Sequence, residues 1–127
     1  MQATLLVFLG GGLGAALRHA VNLGVGRVLG TAFPWHTLVI NIAGSLAMGL
    51  FAGWLAMRAQ APWSQATRLF LTTGVCGGFT TFSAFSLDAV LLWERGAAAL
   101  AGVYVAASVV LSILGLVAGL ALIRSLS

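Results

Sequence analysis

Long apolar stretches separated by short polar turns set the pattern of this chain. Four stretches, at about 3–29, 35–57, 67–93 and 97–123, each reach the roughly 20 helical residues that a hydrocarbon core of about 30 Å requires at ~1.5 Å per residue. The connections are brief: Gly30-Thr31-Ala32-Phe33-Pro34, the polar segment around Gln60, Pro62 and Gln65, and Glu94-Arg95-Gly96. No soluble domain fits in such connections. The pattern predicts one transmembrane domain, residues 1–127, in an all-α membrane protein with four transmembrane helices. Polar positions inside the stretches are few, and each is costly in lipid, which makes each informative.

Composition agrees with this reading. Of 127 residues, 61% are hydrophobic and 6% charged, far from the quarter or so that a soluble surface carries. The six cationic residues are single, scattered arginines (Arg18, Arg27, Arg58, Arg68, Arg95, Arg124) and leave no footprint for nucleic acid. The lone Cys76 has no partner for a disulfide or a zinc site. The first residues, Met1-Gln2-Ala3-Thr4, lack the basic lead of a secretory signal, so the first stretch is expected to be retained as a span. Trp35, Trp54, Trp63 and Trp93 fall near span ends, where indoles anchor among headgroups. Seventeen glycines, among them Gly10, Gly11, Gly12, Gly14, Gly44 and Gly49, suit close helix packing in lipid.

Charge adds a point about topology. With four spans both termini share one side, which carries Arg58, Arg68 and Arg124, against Arg27 and Arg95 on the other, joined by Arg18 if that residue reaches out. So even a balance gives the positive-inside rule little to act on. It permits insertion both ways up and pairing with an inverted copy, an antiparallel homodimer of dual topology. Four short spans are also too few to enclose much of a pore alone.

The most unusual segment is Thr72-Thr73-Gly74-Val75-Cys76-Gly77-Gly78-Phe79-Thr80-Thr81-Phe82-Ser83-Ala84-Phe85-Ser86. Paired glycines followed by hydroxyl residues weaken an α-helix, and the third span is expected to be broken near its middle. In a membrane such a break survives only where protein or a polar cavity satisfies the freed backbone groups. Broken helices also supply ion sites, through carbonyls for cations and helix N-termini for anions. A glycine kink with back-bonded hydroxyls is the plainer alternative. Phe82 and Phe85 share a helix face at i,i+3 and serve either packing or, through the positive ring edge, a small anion. Asn41, about six residues inside Trp35, and Ser45 one turn on need partners, whether helix or pore. Tyr104, Ser108 and Ser112 form a polar stripe at i,i+4,i+8, open to the same two readings. Arg18, deep in the first span, either braces the fold or draws anions toward a vestibule.

Absences narrow the function. Asp88 lies about one and a half turns from Trp93 and Glu94 at the boundary, so no carboxylate is expected at the centre of a span, where a proton-coupled exporter needs one. No nucleophile, base and orienter come together, so an enzyme is the least favoured class. His19 and His36 fall toward one membrane face and are read as structural.

At Gly77-Gly78-Phe79-Thr80-Thr81-Phe82-Ser83-Ala84-Phe85-Ser86 the chain resembles the Fluc/CrcB family of fluoride channels. Gly14-Ala15-Ala16-Leu17-Arg18 and Leu38-Val39-Ile40-Asn41-Ile42-Ala43-Gly44-Ser45 match in order and spacing, and the resemblance covers essentially the whole chain. It implies an antiparallel, dual-topology homodimer in the bacterial inner membrane with two fluoride pores, each lined by both subunits. It assigns the pore to Phe82, Phe85, Asn41, Thr81, Tyr104, Ser108 and Ser112, and the vestibule to Arg18. It further implies a structural sodium ion held by the backbone carbonyls of Gly77 and Thr80. His19 and Ala84 depart from the family's commoner tyrosine and threonine. The resulting expectation is passive export of fluoride from the cytoplasm, with no acid to repel the ion. Alternatives are a dual-topology secondary transporter of cationic compounds and a non-conducting assembly subunit.

Overall fold

The computed structural model describes residues 1–126, and among these every regular element is helical. Helix α1 covers Gln2–Leu29 and α2 Trp35–Ala56. The third crossing is composite: α3 Ser64–Arg68, a π-helical segment π1 Leu69–Cys76, a single turn α4 Gly77–Phe79, and α5 Phe82–Glu94. Helix α6 covers Ala98–Ser125. By length and composition α1, α2, the composite Ser64–Glu94 and α6 can each cross a membrane. The third crossing therefore begins a few residues before the expected position 67, because Ser64–Arg68 already winds as a helix.

Turns at one end of the bundle follow from local chemistry. Gly30 (φ 76°) and Gly96 (φ 81°) take left-handed conformations that end α1 and α5. Arg95 donates to the carbonyl of Ala32 at 2.7 Å and ties the two connections together. At the other end Trp54 and Trp63 stack with centroids 5.6 Å apart, and the Arg58 guanidinium lies 5.2 Å from the Trp54 centroid. Tryptophan and arginine so placed suit the headgroup layer.

Packing depends on glycine. Helix α1 lies on π1 and α4, and α2 on α6. A Cβ added at Gly74 would stand 2.9 Å from Gly10 Cα, and one at Gly78 would overlap the Gly11 carbonyl oxygen. In the second pairing, side chains at Gly49 and Gly119 would run into the carbonyls of Leu116 and Leu46. Lipid tails solvate leucine as well as another helix does, so it is this backbone-to-backbone approach, with its dispersion contacts, that favours helix association. The buried core is correspondingly small, centred on Leu38, Phe85, Leu92, Ala101 and Tyr104. Many large apolar side chains point outward, including Leu5, Phe8 and Val28 on α1 and Val103, Val110 and Ile113 on α6. A soluble protein could not tolerate that surface; an acyl-chain solvent can.

Candidate functional site

Thr80 and Thr81 lie between α4 and α5 with extended backbones, at φ −78°, ψ 157° and φ −149°, ψ 122°. Extended backbone inside an apolar crossing needs hydrogen-bond partners from elsewhere. Asn41 on α2 supplies two of them. Its Oδ1 accepts from the Thr81 N–H at 2.9 Å, and its Nδ2 donates to the Thr81 carbonyl at 3.1 Å. One amide thus takes the place of a neighbouring peptide. The Thr81 hydroxyl accepts from Ala84 N–H at 3.1 Å and caps α5, while Thr80 Oγ1 donates to the Cys76 carbonyl at 2.9 Å. The remaining carbonyl, of Thr80, faces Arg18 Nη1 at 3.5 Å.

Two clefts flank these threonines. The first, about 420 Å³, lies between α2, α5 and α6 and contains Asn41, Ser45, Thr80 and Thr81. Phe82 and Phe85 line it too, with ring centroids 5.5 Å apart and planes inclined by 59°. Their environments differ: Phe85 is 8% exposed and belongs to the core, whereas Phe82 is 78% exposed. Across the cleft, Ser108 and Ser112 present buried hydroxyls that have no hydrogen-bond partner. Such orphaned hydroxyls invite a guest or water, since a buried polar atom left alone is costly.

The second cleft, about 440 Å³, lies between α1, α2 and α5 and contains Arg18, Asn22, His36, Thr37, Ser83 and Asp88. Thr81 lines both clefts, so they meet at the extended backbone. Asp88 Oδ2 accepts from Thr37 Oγ1 at 2.7 Å and from the Tyr104 hydroxyl at 3.2 Å.

The residues singled out from sequence therefore divide. Asn41, Thr80, Thr81, Phe82, Phe85, Ser108 and Ser112 come together in the first cleft, and Arg18 lines the second. Gly77, by contrast, is exposed at the end of π1. Tyr104 parts from the serine stripe: it is fully buried, packs edge-on against Phe33 and at 5.3 Å against Phe85, and gives its hydroxyl to Asp88. Sequence reasoning leaves out Thr37, sets Asp88 away from the centre of a span and reads His36 as structural; all three line the second cleft. The available signal was Asp88 itself, since a carboxylate within a crossing must be held by donors. Asp88 lines the second cleft with two hydroxyls already on one oxygen.

That pairing makes a prediction. Tyr104→Phe keeps the ring packing and removes one of the two donors to Asp88, and is expected to lower stability by about 1–2 kcal/mol. Thermal unfolding in detergent measures it. A variant as stable as the parent would mean that the Tyr104 hydroxyl contributes nothing net.

Four apolar crossings around the extended Thr80-Thr81 backbone, with a cleft on either side of it that carries polar side chains, define a small multi-pass membrane protein. Residues 5–120 match the family described as CrcB-like protein, Camphor Resistance (CrcB). A protein named fluoride-specific ion channel FluC from Rhodopseudomonas palustris (strain BisB5) is 63% identical over 123 residues, covering 97% of this chain and 98% of that one. The FluC protein of Methylobacterium nodulans is 62% identical over 124 residues (98% of each), and FluC 2 of Nitrobacter hamburgensis 59% over 123 (97% and 98%). The chain belongs to the CrcB-like family.

Proposed function

We propose that this chain is a multi-pass inner-membrane channel selective for fluoride, which lets the anion leave the cytoplasm down its electrochemical gradient. The observation that carries the reading is the orphaned hydroxyl pair, Ser108 and Ser112, facing Phe82, Phe85 and Asn41 across one cleft. The names of the relatives, fluoride-specific ion channels at this level of identity, point to the same ion.

The chemistry follows from the donors. Fluoride is small and strongly hydrated, so its water must be replaced by O–H and N–H groups along the way. Ser108, Ser112 and Ser45 offer hydroxyls, and Asn41 Nδ2 has a second hydrogen beyond the one given to Thr81. The tilted rings of Phe82 and Phe85 can turn positive edges to the ion. Arg18 places a cation at the second cleft, and the two hydroxyls on Asp88 disperse the charge of the one acid there.

The first cleft is open on one side, and the outward-facing apolar surface is extensive, which suits a second, inverted copy completing each of two pores. A structural sodium ion belongs to the same proposal, with Thr80 and Gly77 giving backbone carbonyls. Neutral carbonyl oxygens suit a hard cation, and the Thr80 carbonyl, in extended backbone with only a 3.5 Å contact to Arg18, fits that role. Two oxygens are too few to enclose such an ion, so the inverted copy would supply the rest. When bound, the cation adds fixed positive charge between the pores.

The experiment is efflux from proteoliposomes loaded with fluoride or with chloride, read by ion-selective electrodes, with Phe82→Ile alongside. Fast fluoride release, no chloride release, and at least a tenfold slower rate in the variant are expected. Because Phe82 is exposed, the substitution should leave folding intact. Silence toward fluoride from well-folded protein, or release that requires a proton gradient, would overturn the reading.

A further inference from the structure

The second cleft gathers an arginine, a histidine and an aspartate, and its groups come from separate helices. Arg18 and Asn22 enter from α1, His36 and Thr37 from α2, and Ser83 and Asp88 from α5. Tyr104 of α6 reaches it only through its hydrogen bond to Asp88. Formally Arg18 and Asp88 cancel, so with a neutral imidazole the cleft has no net charge, and with a protonated one it has one positive charge. Histidine is the side-chain type whose ordinary titration falls between pH 5 and 8. The other charged or titratable groups of these elements do not line the cleft: Arg95 is turned to the Ala32 carbonyl, and Arg27, Glu94 and His19, which is next to Arg18, are exposed.

Position gives that proton a consequence. His36 is in the first turn of α2, five residues before Asn41, and the cleft it lines shares Thr81 with the cleft holding the phenylalanines. His36 lies five residues, about 7.5 Å of helix rise, nearer this end of the bundle than Asn41, so an anion entering through this cleft comes within reach of the imidazole ahead of the Asn41 amide. A positive charge inside a low-dielectric cleft raises the local anion concentration, and the effect weakens as salt screens it.

We propose that His36 is an anion-recruiting residue of this pathway, setting with Arg18 and Asp88 the charge of the entrance so that protonated His36 draws fluoride toward Thr81. The inference rests on the channel reading above and deepens it. Fluoride current rises as pH falls, and it does so through this one side chain.

The test is electrical recording of purified protein in planar bilayers, at equal pH on both sides, in low-salt fluoride. Neutral hydrofluoric acid carries no current, so its leak does not contribute. Current at pH 6 is expected to exceed that at pH 8 by a factor on the order of two, and less so at high ionic strength. In His36→Gln the ratio should fall to about one, in His36→Arg it should also be flat but with the larger current, and in His19→Gln it should match the parent. A parent protein without fluoride current would overturn the channel reading and this inference together. A parent that conducts but shows no pH ratio, or a conducting His36→Gln that keeps the ratio, would overturn this inference alone and leave the channel reading in place.

Discussion

Replacing Asn41 with alanine is expected to abolish fluoride release and to destabilise the protein by about 2–4 kcal/mol, because it removes both partners of the Thr81 peptide at once. Thr81 lies inside an apolar crossing and is buried, so water in the clefts replaces the lost bonds poorly. Its N–H and C=O would either remain unpaired or pull Thr81 into a continuous helix, and either outcome removes the extended backbone on which both clefts meet. Asn41→Asp separates the contributions. It keeps an acceptor for the Thr81 N–H but sets a carboxylate against the Thr81 carbonyl and adds an anion to the cleft. Release should again be lost, with repulsion of fluoride added to the structural fault. Unfolding measurements in detergent and fluoride efflux from liposomes read the two effects separately. An alanine variant with parental stability and efflux would mean that Asn41 neither holds the break nor serves the ion.

The second large effect concerns Gly14. A Cβ there would overlap the Val75 carbonyl oxygen and stand 2.8 Å from the Phe79 backbone nitrogen. Both obstacles are backbone, so no rotamer change relieves them, and α1 must move off π1 and α4. Separation forfeits dispersion contacts along the whole pairing, with no hydrophobic driving force to restore them in lipid. Gly14→Ala is expected to cost about 3 kcal/mol and to cut the yield of folded protein sharply. Gly12, two residues away, has nothing within 4 Å of its would-be Cβ. Gly12→Ala should be neutral or stabilising by up to about 1 kcal/mol through helix propensity. Thermal unfolding of the pair tests the packing directly: equal effects at the two positions would contradict the helix pairing described above.

The contrast between these neighbouring glycines illustrates how far a sequence can be read. Both stand in an apolar stretch, and both suit close packing by composition. Only one faces another helix, since about 100° of rotation per residue turns Gly12 and Gly14 to different sides of α1. The polar stripe Tyr104, Ser108 and Ser112 divides for a related reason. Periodicity places three side chains on one face, but the length of the tyrosine carries its hydroxyl to Asp88 on α5, while the serine hydroxyls stop at the cleft wall.

Local and additive features are therefore legible in the chain: four apolar stretches long enough to cross a bilayer, short turns, a segment of glycine and hydroxyl residues ill-suited to uninterrupted helix, and motifs that resemble one family. Each depends on residues close together in the chain, where length, propensity and hydropathy act. Which distant groups meet is settled by helix packing instead. Asn41 with Thr81, Thr37 with Asp88, Arg18 with Thr80, and His36 with the same cleft are joined across 40 or more residues for the pairs whose bonds are given, and their meeting depends on which helix faces touch. In lipid those faces are chosen by shape, by glycines that admit a neighbouring backbone and by polar groups that must find partners, because hydrophobicity no longer distinguishes one side of a helix from another.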